Sequence, residues 1–276
     1  NAKIHLVASD LDFDTLTYSI VSEPSNGTTT LSADTVSYMP NTNFTGTDTF
    51  TYKVNDGEVD SQTKIVTIKV IKKYLYSATQ IGTDIDGEAT SDQSGYSVSF
   101  NEDATVMAIG AIGNAGNGTY SGHVRIYNYD GTAWTQLGAD IDGEAAGDYS
   151  GSSVSLSSDG KTVAIGAHYN DGNGSDSGHV RIYNYNGTAW SQLGEDIDGE
   201  AASNYSGKSV SLSSDGTTLA IGAYGNDDNG SDSGHVRVFN YNGTAWMQLG
   251  SDIDGEAAND YSGSSVSLSS DGKTVA

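Results

Sequence analysis

Three groups of side chains have the types and spacing to hold a hard, oxygen-seeking cation. Asp10, Asp12 and Asp14 stand at alternate positions near the amino terminus, and Asp56 and Asp60 follow in the NDGEVD loop. Alternate side chains on extended backbone point the same way, about 7 Å apart. Two such carboxylates repel by roughly 0.6 kcal/mol in bulk water and about 2 kcal/mol at a protein-like dielectric. Ca2+ removes that cost. A calcium site is therefore expected at Asp10, Asp12, Asp14 and Asp56, with a solvated acidic turn as the plainer alternative.

The second group is the pentapeptide DIDGE. Asp140, Asp142 and Glu144 are matched by Asp84, Asp86 and Glu88, by Asp196, Asp198 and Glu200, and by Asp252, Asp254 and Glu256. The acids again alternate, but Gly follows the second one. An EF-hand loop places a third ligand before its Gly, so this spacing is a different one. Calcium competes here with a solvated turn between repeats. The third group is a Gly-rich loop carrying Asp171, Asn173 and Asp176, repeated as Asp227, Asn229 and Asp232. The first copy reads Ala115, Asn117 and Tyr120 instead, which makes any site there partial.

Other chemistry is poorly supplied. His123, His179 and His235 recur in every full copy, as do Trp134, Trp190 and Trp246. A catalytic residue is needed once, so repeated histidines are read as structural, and the tryptophans as packing between repeats rather than as sugar platforms. There is no nucleophile elbow, phosphate loop, HExxH or basic–aromatic patch, so no enzyme is expected. The 36 acids against 12 bases give a formal charge of −24, which repels nucleic acid and anionic lipid and favours cations. No apolar run approaches the roughly 20 residues that span a bilayer. The absence of Cys excludes disulfides and thiolate zinc sites.

These groups sit on a repeat. The Trp and His positions are each 56 residues apart, a fixed period that marks a repeat architecture. With 35 Gly and 2 Pro and no sustained helical spacing, short strands and tight turns are expected throughout. Within one unit the pattern predicts four strands. SGSSVSLSS is half-buried, KTVAIGA continuously apolar, and HVRIYNY turns at Asn186–Gly187 into TAWSQLG. Four antiparallel strands without a helix fit a β-propeller blade. Residues 1–73 carry five or six short alternating segments and predict a β-sandwich, leaving 74–276 to the repeats.

The stretch ASDLDFDTLTYSI…DTFTYKVNDG resembles the tandem cadherin-like, immunoglobulin-like repeats of bacterial surface proteins. That resemblance implies one further strand at the amino terminus, and it too points to calcium near the domain base. The Tyr-Ser-Gly, Gly166-Ala167, W-x-Q-x-G and S-x-D-G elements resemble FG-GAP repeats of integrin-α-type propellers, over about three quarters of the chain. The chain then reads as a fragment: three full copies and a truncated fourth, fewer than a closed propeller needs. In such repeats a D-x-D-x-D-G-x-x-D loop binds calcium. Here only Asp159–Gly160 survives, with Ser155 and Ser157 in acidic positions, so that site is not carried over. Together the resemblances imply an extracellular adhesion or matrix-interaction module meeting protein or glycan ligands. The alternative is a carbohydrate-binding propeller accessory to a secreted hydrolase.

Overall fold

The computed structural model describes residues 2–71 and 79–276. The chain divides into two compact units, Asn1–Thr79 and Gln80–Ala276. The boundary expected near Lys72–Tyr74, and most of the lone strand expected around it, lie outside the described residues. Among the described residues no helix is long and apolar enough to cross a membrane.

The first unit contains β1 (Ala2–His5), β2 (Thr17–Ser22), β3 (Gly27–Ser32), β4 (Thr35–Pro40), β5 (Gly46–Asn55) and β6 (Lys64–Val70). They form two three-stranded antiparallel sheets, ordered β1-β4-β3 and β2-β5-β6. Leu6, Val36 and Phe50 are buried between them, with Tyr18, Ile20, Leu31, Val66 and Ile68 packed against them. This is the sandwich that the period-two alternation requires.

One core position holds an acid. Asp48 on β5 is 4% exposed and accepts hydrogen bonds from the Tyr38 hydroxyl (2.9 Å) and from the N–H groups of Ser25, Asn26 and Thr49. Burial pushes its pKa up, but these four donors outweigh burial and hold it below the usual carboxylate range. Its partner Tyr38 is pushed up to about 12, by burial first and then by Asp48. A carboxylate whose pKa is lower folded than unfolded stabilises the fold above its unfolded value, near pH 4. That stabilisation disappears as pH falls through the folded value. Amide protection factors in β4 and β5, corrected for intrinsic exchange, should therefore fall below about pH 4. Asp48→Asn should abolish that pH dependence of protection while protection in the second unit stays as in the parent chain.

The second unit is built from repeated blades. The first holds β7 (Ser94–Phe100), β8 (Val106–Ala111), β9 (His123–Tyr129), β10 (Trp134–Gln136) and β11 (Ile141–Asp142). The second holds β12 (Ser153–Leu156), β13 (Thr162–Ala167), β14 (His179–Tyr185), β15 (Trp190–Gln192) and β16 (Ile197–Asp198). The third holds β17 (Ser209–Leu212), β18 (Thr218–Ala223), β19 (His235–Tyr241), β20 (Trp246–Gln248) and β21 (Ile253–Asp254). Each is an antiparallel meander such as β12-β13-β14-β15. Every residue of β13 and β18 is buried, as their unbroken apolar runs demand. Beyond the third blade, Leu268 and Val275 form an isolated antiparallel bridge.

One expectation is corrected. DIDGE is not a turn between repeats: Ile197 and Asp198 pair with Val180 and His179, so β16 continues the outer edge that β15 begins. The outer strand is broken at Gly194–Asp196 and then resumes. The reason is Ile197, which is 7% exposed and anchors the segment in the core while Asp198 faces outward.

The serines that alternate with apolar residues join the blades. Ser155 Oγ accepts the Leu212 N–H at 2.9 Å, and the same bond recurs as Ser99–Leu156 and Ser211–Leu268. The S-x-D-G turns bond in series, Ser158 N–H to Ser214 O and Ser214 N–H to Ser270 O. Each Trp indole donates back to the preceding copy: Trp190 to Leu137 O and Trp246 to Leu193 O, both at 2.8 Å. The tryptophans pack between repeats, as expected from their recurrence.

Candidate functional site

Two constellations stand out in the blades, and the first centres on the repeated histidine. His179 opens β14, opposite Asp198, and is almost wholly buried. Its Nδ1 lies 3.8 Å from Glu144 Oε2, contributed by the preceding copy, and 3.6 Å from Asp196 Oδ2 of its own copy. The junction before it joins His123 to Glu88 (3.8 Å) and Asp140 (3.7 Å), and the junction after it joins His235 to Glu200 (3.8 Å) and Asp252 (3.6 Å). Asp228 completes the third group. These are the three groups of described residues whose donor atoms converge closely enough to hold a metal ion.

The second oxygens of these carboxylates are held by neighbours. Gln136 Nε2 donates to Asp140 Oδ1 at 2.6 Å, with the same pairs at Gln192–Asp196 and Gln248–Asp252. Arg181 Nη1 stands 3.6 Å from Glu144 Oε1, its Nη2 donates to Asp142 O at 2.6 Å, and its guanidinium lies over the Tyr183 ring. Each carboxylate is thus clamped by one oxygen and presents the other to the imidazole. Burial pushes Glu144 and Glu200 upward despite the arginine beside each. It lowers His179 to about 4, helped by Arg181 and opposed by Asp196. His235 is lowered for the same leading reason.

The second constellation is aromatic. Tyr120 and Tyr149 stack at 5.2 Å, Tyr149 meets Tyr169 at 5.1 Å, Tyr169 meets Tyr205 edge-on at 5.6 Å, and Tyr205 stacks on Tyr224 at 5.0 Å. Tyr224 continues to Tyr261 at 6.2 Å. Beside this row lies a depression of about 430 Å3 lined by Tyr96, Ile112, Tyr149, His168, Tyr169, Asp176 and Lys208, with Gly147. His168 is pushed down to about 3, by burial and then by Lys208, and stays neutral.

The acids singled out from sequence fall differently. Asp10 Oδ2 accepts the N–H groups of Asp12 and Asp14, inside a loop rather than a strand, so the shared side that extended backbone implies is lost. Asp56 Oδ1 caps the N–H groups of Glu58 and Val59, which hold its pKa low, while Asp60 pairs with Lys53 and Asn55. Asp10, Asp56 and Asp60 do line one open depression of about 660 Å3, but Asp12 and Asp14 are not part of it. The DIDGE acids of one copy separate: Asp140 joins His123, and Glu144 joins His179. Asp142 and Asp198 supply backbone carbonyls to Arg181 and Arg237. In the Gly-rich loops Asp171 accepts the Asp176 N–H and Asp227 the Asp232 N–H. Asn173 and Asn229 donate to Gly199 O and Gly255 O, just past the broken outer strand of their own blade, so they are struts.

The histidines and Asp228 were missed as donors. The signal for the histidines was the coincidence of two equal periods, DIDGE and SGHV, which brings Glu and His of successive copies together. Asp228 was visible as a departure, since Gly116 and Gly172 stand at its register.

Comparison with known families agrees with this architecture. Residues 1–69 match the model of a bacterial Ig domain, and 139–183 and 197–239 match that of the FG-GAP repeat. The chain joins a bacterial Ig domain to FG-GAP repeats. No curated protein matches it. Among solved structures, a candidate TolB from Agrobacterium tumefaciens is 13% identical over 65% of this chain and 51% of its own, with a TM-score of 0.39. This chain therefore spans about half the length of that protein. A candidate 6-phosphogluconolactonase from Bacteroides uniformis is 11% identical over 94% of this chain and 76% of its own, TM-score 0.44. The β-propeller domain of the Trilobed protease from Pyrococcus furiosus is 7% identical over 84% and 58%, TM-score 0.34.

The calcium loop implied by integrin-type FG-GAP repeats does not fit these blades. Asp159 Oδ1 is taken by the Ser157 hydroxyl (2.7 Å) and the Lys161 N–H (3.0 Å), and the turn offers no second carboxylate. A Ca2+ cage needs six to eight oxygens.

Proposed function

We propose that this chain is a non-enzymatic binding segment of a secreted or cell-surface protein, in which the FG-GAP blades contact a neutral glycan of a matrix or a partner surface. The observation that carries this reading is the place where the 56-residue identity breaks. His168 stands where the other copies have Ile112 and Tyr224, Tyr169 where they have Gly113 and Gly225, and Lys208 where they have Tyr96, Ser152 and Ser264. All three line the 430 Å3 depression. Scaffold positions recur because every blade needs them, whereas a ligand is read by what differs.

The chemistry suits a saccharide. Tyr149 and Tyr169 provide aromatic walls for C–H faces, and Asp176 and Lys208 provide an acceptor and a donor for hydroxyls. A formal charge of −24 opposes polyanionic glycans, which narrows the class to neutral ones. We assign calcium no part in it, since Asp10 and Asp56 are engaged in turns and one imidazole with two carboxylates at a junction leaves Ca2+ short of oxygens.

Titration of the whole chain with neutral oligosaccharides, followed by calorimetry, tests the reading. Tyr169→Ala and Lys208→Ser should each weaken binding about tenfold, near 1.4 kcal/mol, with thermal stability unchanged. Serine is the residue of two other copies at that register, Ser152 and Ser264, so folding should tolerate it. Absence of binding at millimolar oligosaccharide, or equal binding by both variants, would overturn the proposal.

A further inference from the structure

The geometry points to a divalent transition-metal site, of the zinc class, at each blade junction, built from Glu of one copy and His and Asp of the next. The independent observation is the imidazole: His123 is 1% and His235 0% exposed, and neither ring nitrogen of either residue has a hydrogen-bond partner. Buried polar atoms are nearly always satisfied, so two recurring exceptions at equivalent positions need a partner.

The spacing identifies that partner as a cation. Nδ1 stands 3.6 to 3.8 Å from each carboxylate oxygen, too far for a hydrogen bond. Two ligands about 2.0–2.2 Å from a common ion stand roughly 3.3–3.8 Å apart at bond angles from tetrahedral to 120°. A shift of a few tenths of an ångström closes the site. The supporting contacts are of the kind that orient metal ligands: Gln136, Gln192 and Gln248 hold the free oxygen of each Asp, while Arg125, Arg181 and Arg237 face that of each Glu. One imidazole with two carboxylates suits a borderline ion and leaves Ca2+ short of oxygens.

The three sites differ in one respect. The third adds Asp228, giving four protein ligands where the first two have three. It should bind most tightly, and occupancy should tie Glu200 of one blade to His235 and Asp252 of the next. The array would then gain stability from an ion at each junction, through contacts made between copies.

The test uses the full chain in a His5→Gln background, because His5 is exposed and could bind zinc by itself. Calorimetry with Zn2+ should show about three equivalents, one of them at least tenfold tighter, with a rise in melting temperature. Co2+ should give visible d–d absorption that millimolar Ca2+ does not displace. His235→Gln should remove one equivalent. Asp228→Gly, which restores the residue of the other two copies, should make the three sites alike without harming the fold. Lack of saturable Zn2+ binding, displacement by Ca2+, or an unchanged tight site in Asp228→Gly would each refute the assignment.

Discussion

Gly166→Ala is expected to destabilise the FG-GAP unit by about 3 kcal/mol or more. Gly166 lies in β13, opposite Ser153 and Val180, where the backbone of the next blade passes closest. A Cβ there would sit 2.1 Å from Gly207 O and 2.4 Å from Ser153 Oγ. Ser153 cannot simply rotate away, because its hydroxyl donates to the same Gly207 carbonyl at 2.7 Å. Relief requires moving one blade against its neighbour and breaking contacts on both. Gly110 and Gly222 meet the equivalent obstacle at 2.1 and 2.0 Å, so the requirement belongs to the repeat. Gly187→Ala is the control. Nothing lies within 4 Å of its added Cβ, and its positive φ of 97° should cost only about 1 kcal/mol. Urea denaturation followed by tryptophan fluorescence reads both, since all three Trp are in the blades. Equal losses in the two variants would show that the blades are not in tight backbone contact.

Arg181→Met should cost about 3 kcal/mol. The arginine is 6% exposed and joins two copies through its bond to Asp142 O. A hydrogen bond from a charged donor contributes about 1.5–3 kcal/mol, and a guanidinium over an aromatic ring about 1 kcal/mol. Glu144 adds little because it is 45% exposed, so solvent screens its attraction to the arginine. Methionine preserves the apolar stem but leaves the Asp142 carbonyl without its partner. Because repeat arrays owe cooperativity to neighbour interfaces, the unfolding transition should also broaden. Arg181→Lys should recover less than half of the loss, since one ammonium cannot serve both Asp142 O and Glu144. A loss below about 1 kcal/mol in the methionine variant would mean that the junction rests on its serine and tryptophan bonds alone.

Much of the fold was legible along the chain. The alternation in TVSYMP and DTFTYKVNDG, the Asn186–Gly187 turn and the apolar run KTVAIGA each specify a strand or its end through local rules, and the structure places β4, β5, β13 and β14 accordingly. The family resemblances rested on the same local features and are matched over residues 1–69, 139–183 and 197–239. DIDGE was misread because its single Ile between two acids is too short a signal to show which strand it joins.

What the sequence determined by itself was therefore the unit: a 56-residue period, four strands, their buried faces and the turns between them. These depend on backbone geometry and side-chain alternation, which act between near neighbours. What only the tertiary structure decided was which copy each acid serves. Glu144 faces His179 and Asp196 instead of Asp140 and Asp142, and Tyr149 reaches Tyr169 beside a depression that also draws on Ile112 and Lys208. Those partners lie in different copies or on different loops. A sequence of near-identical repeats fixes each residue's face but not the copy it meets, which follows from how the blades stack. Through that stacking the repeated histidines, read along the chain as scaffold, come to lie among carboxylates at every junction.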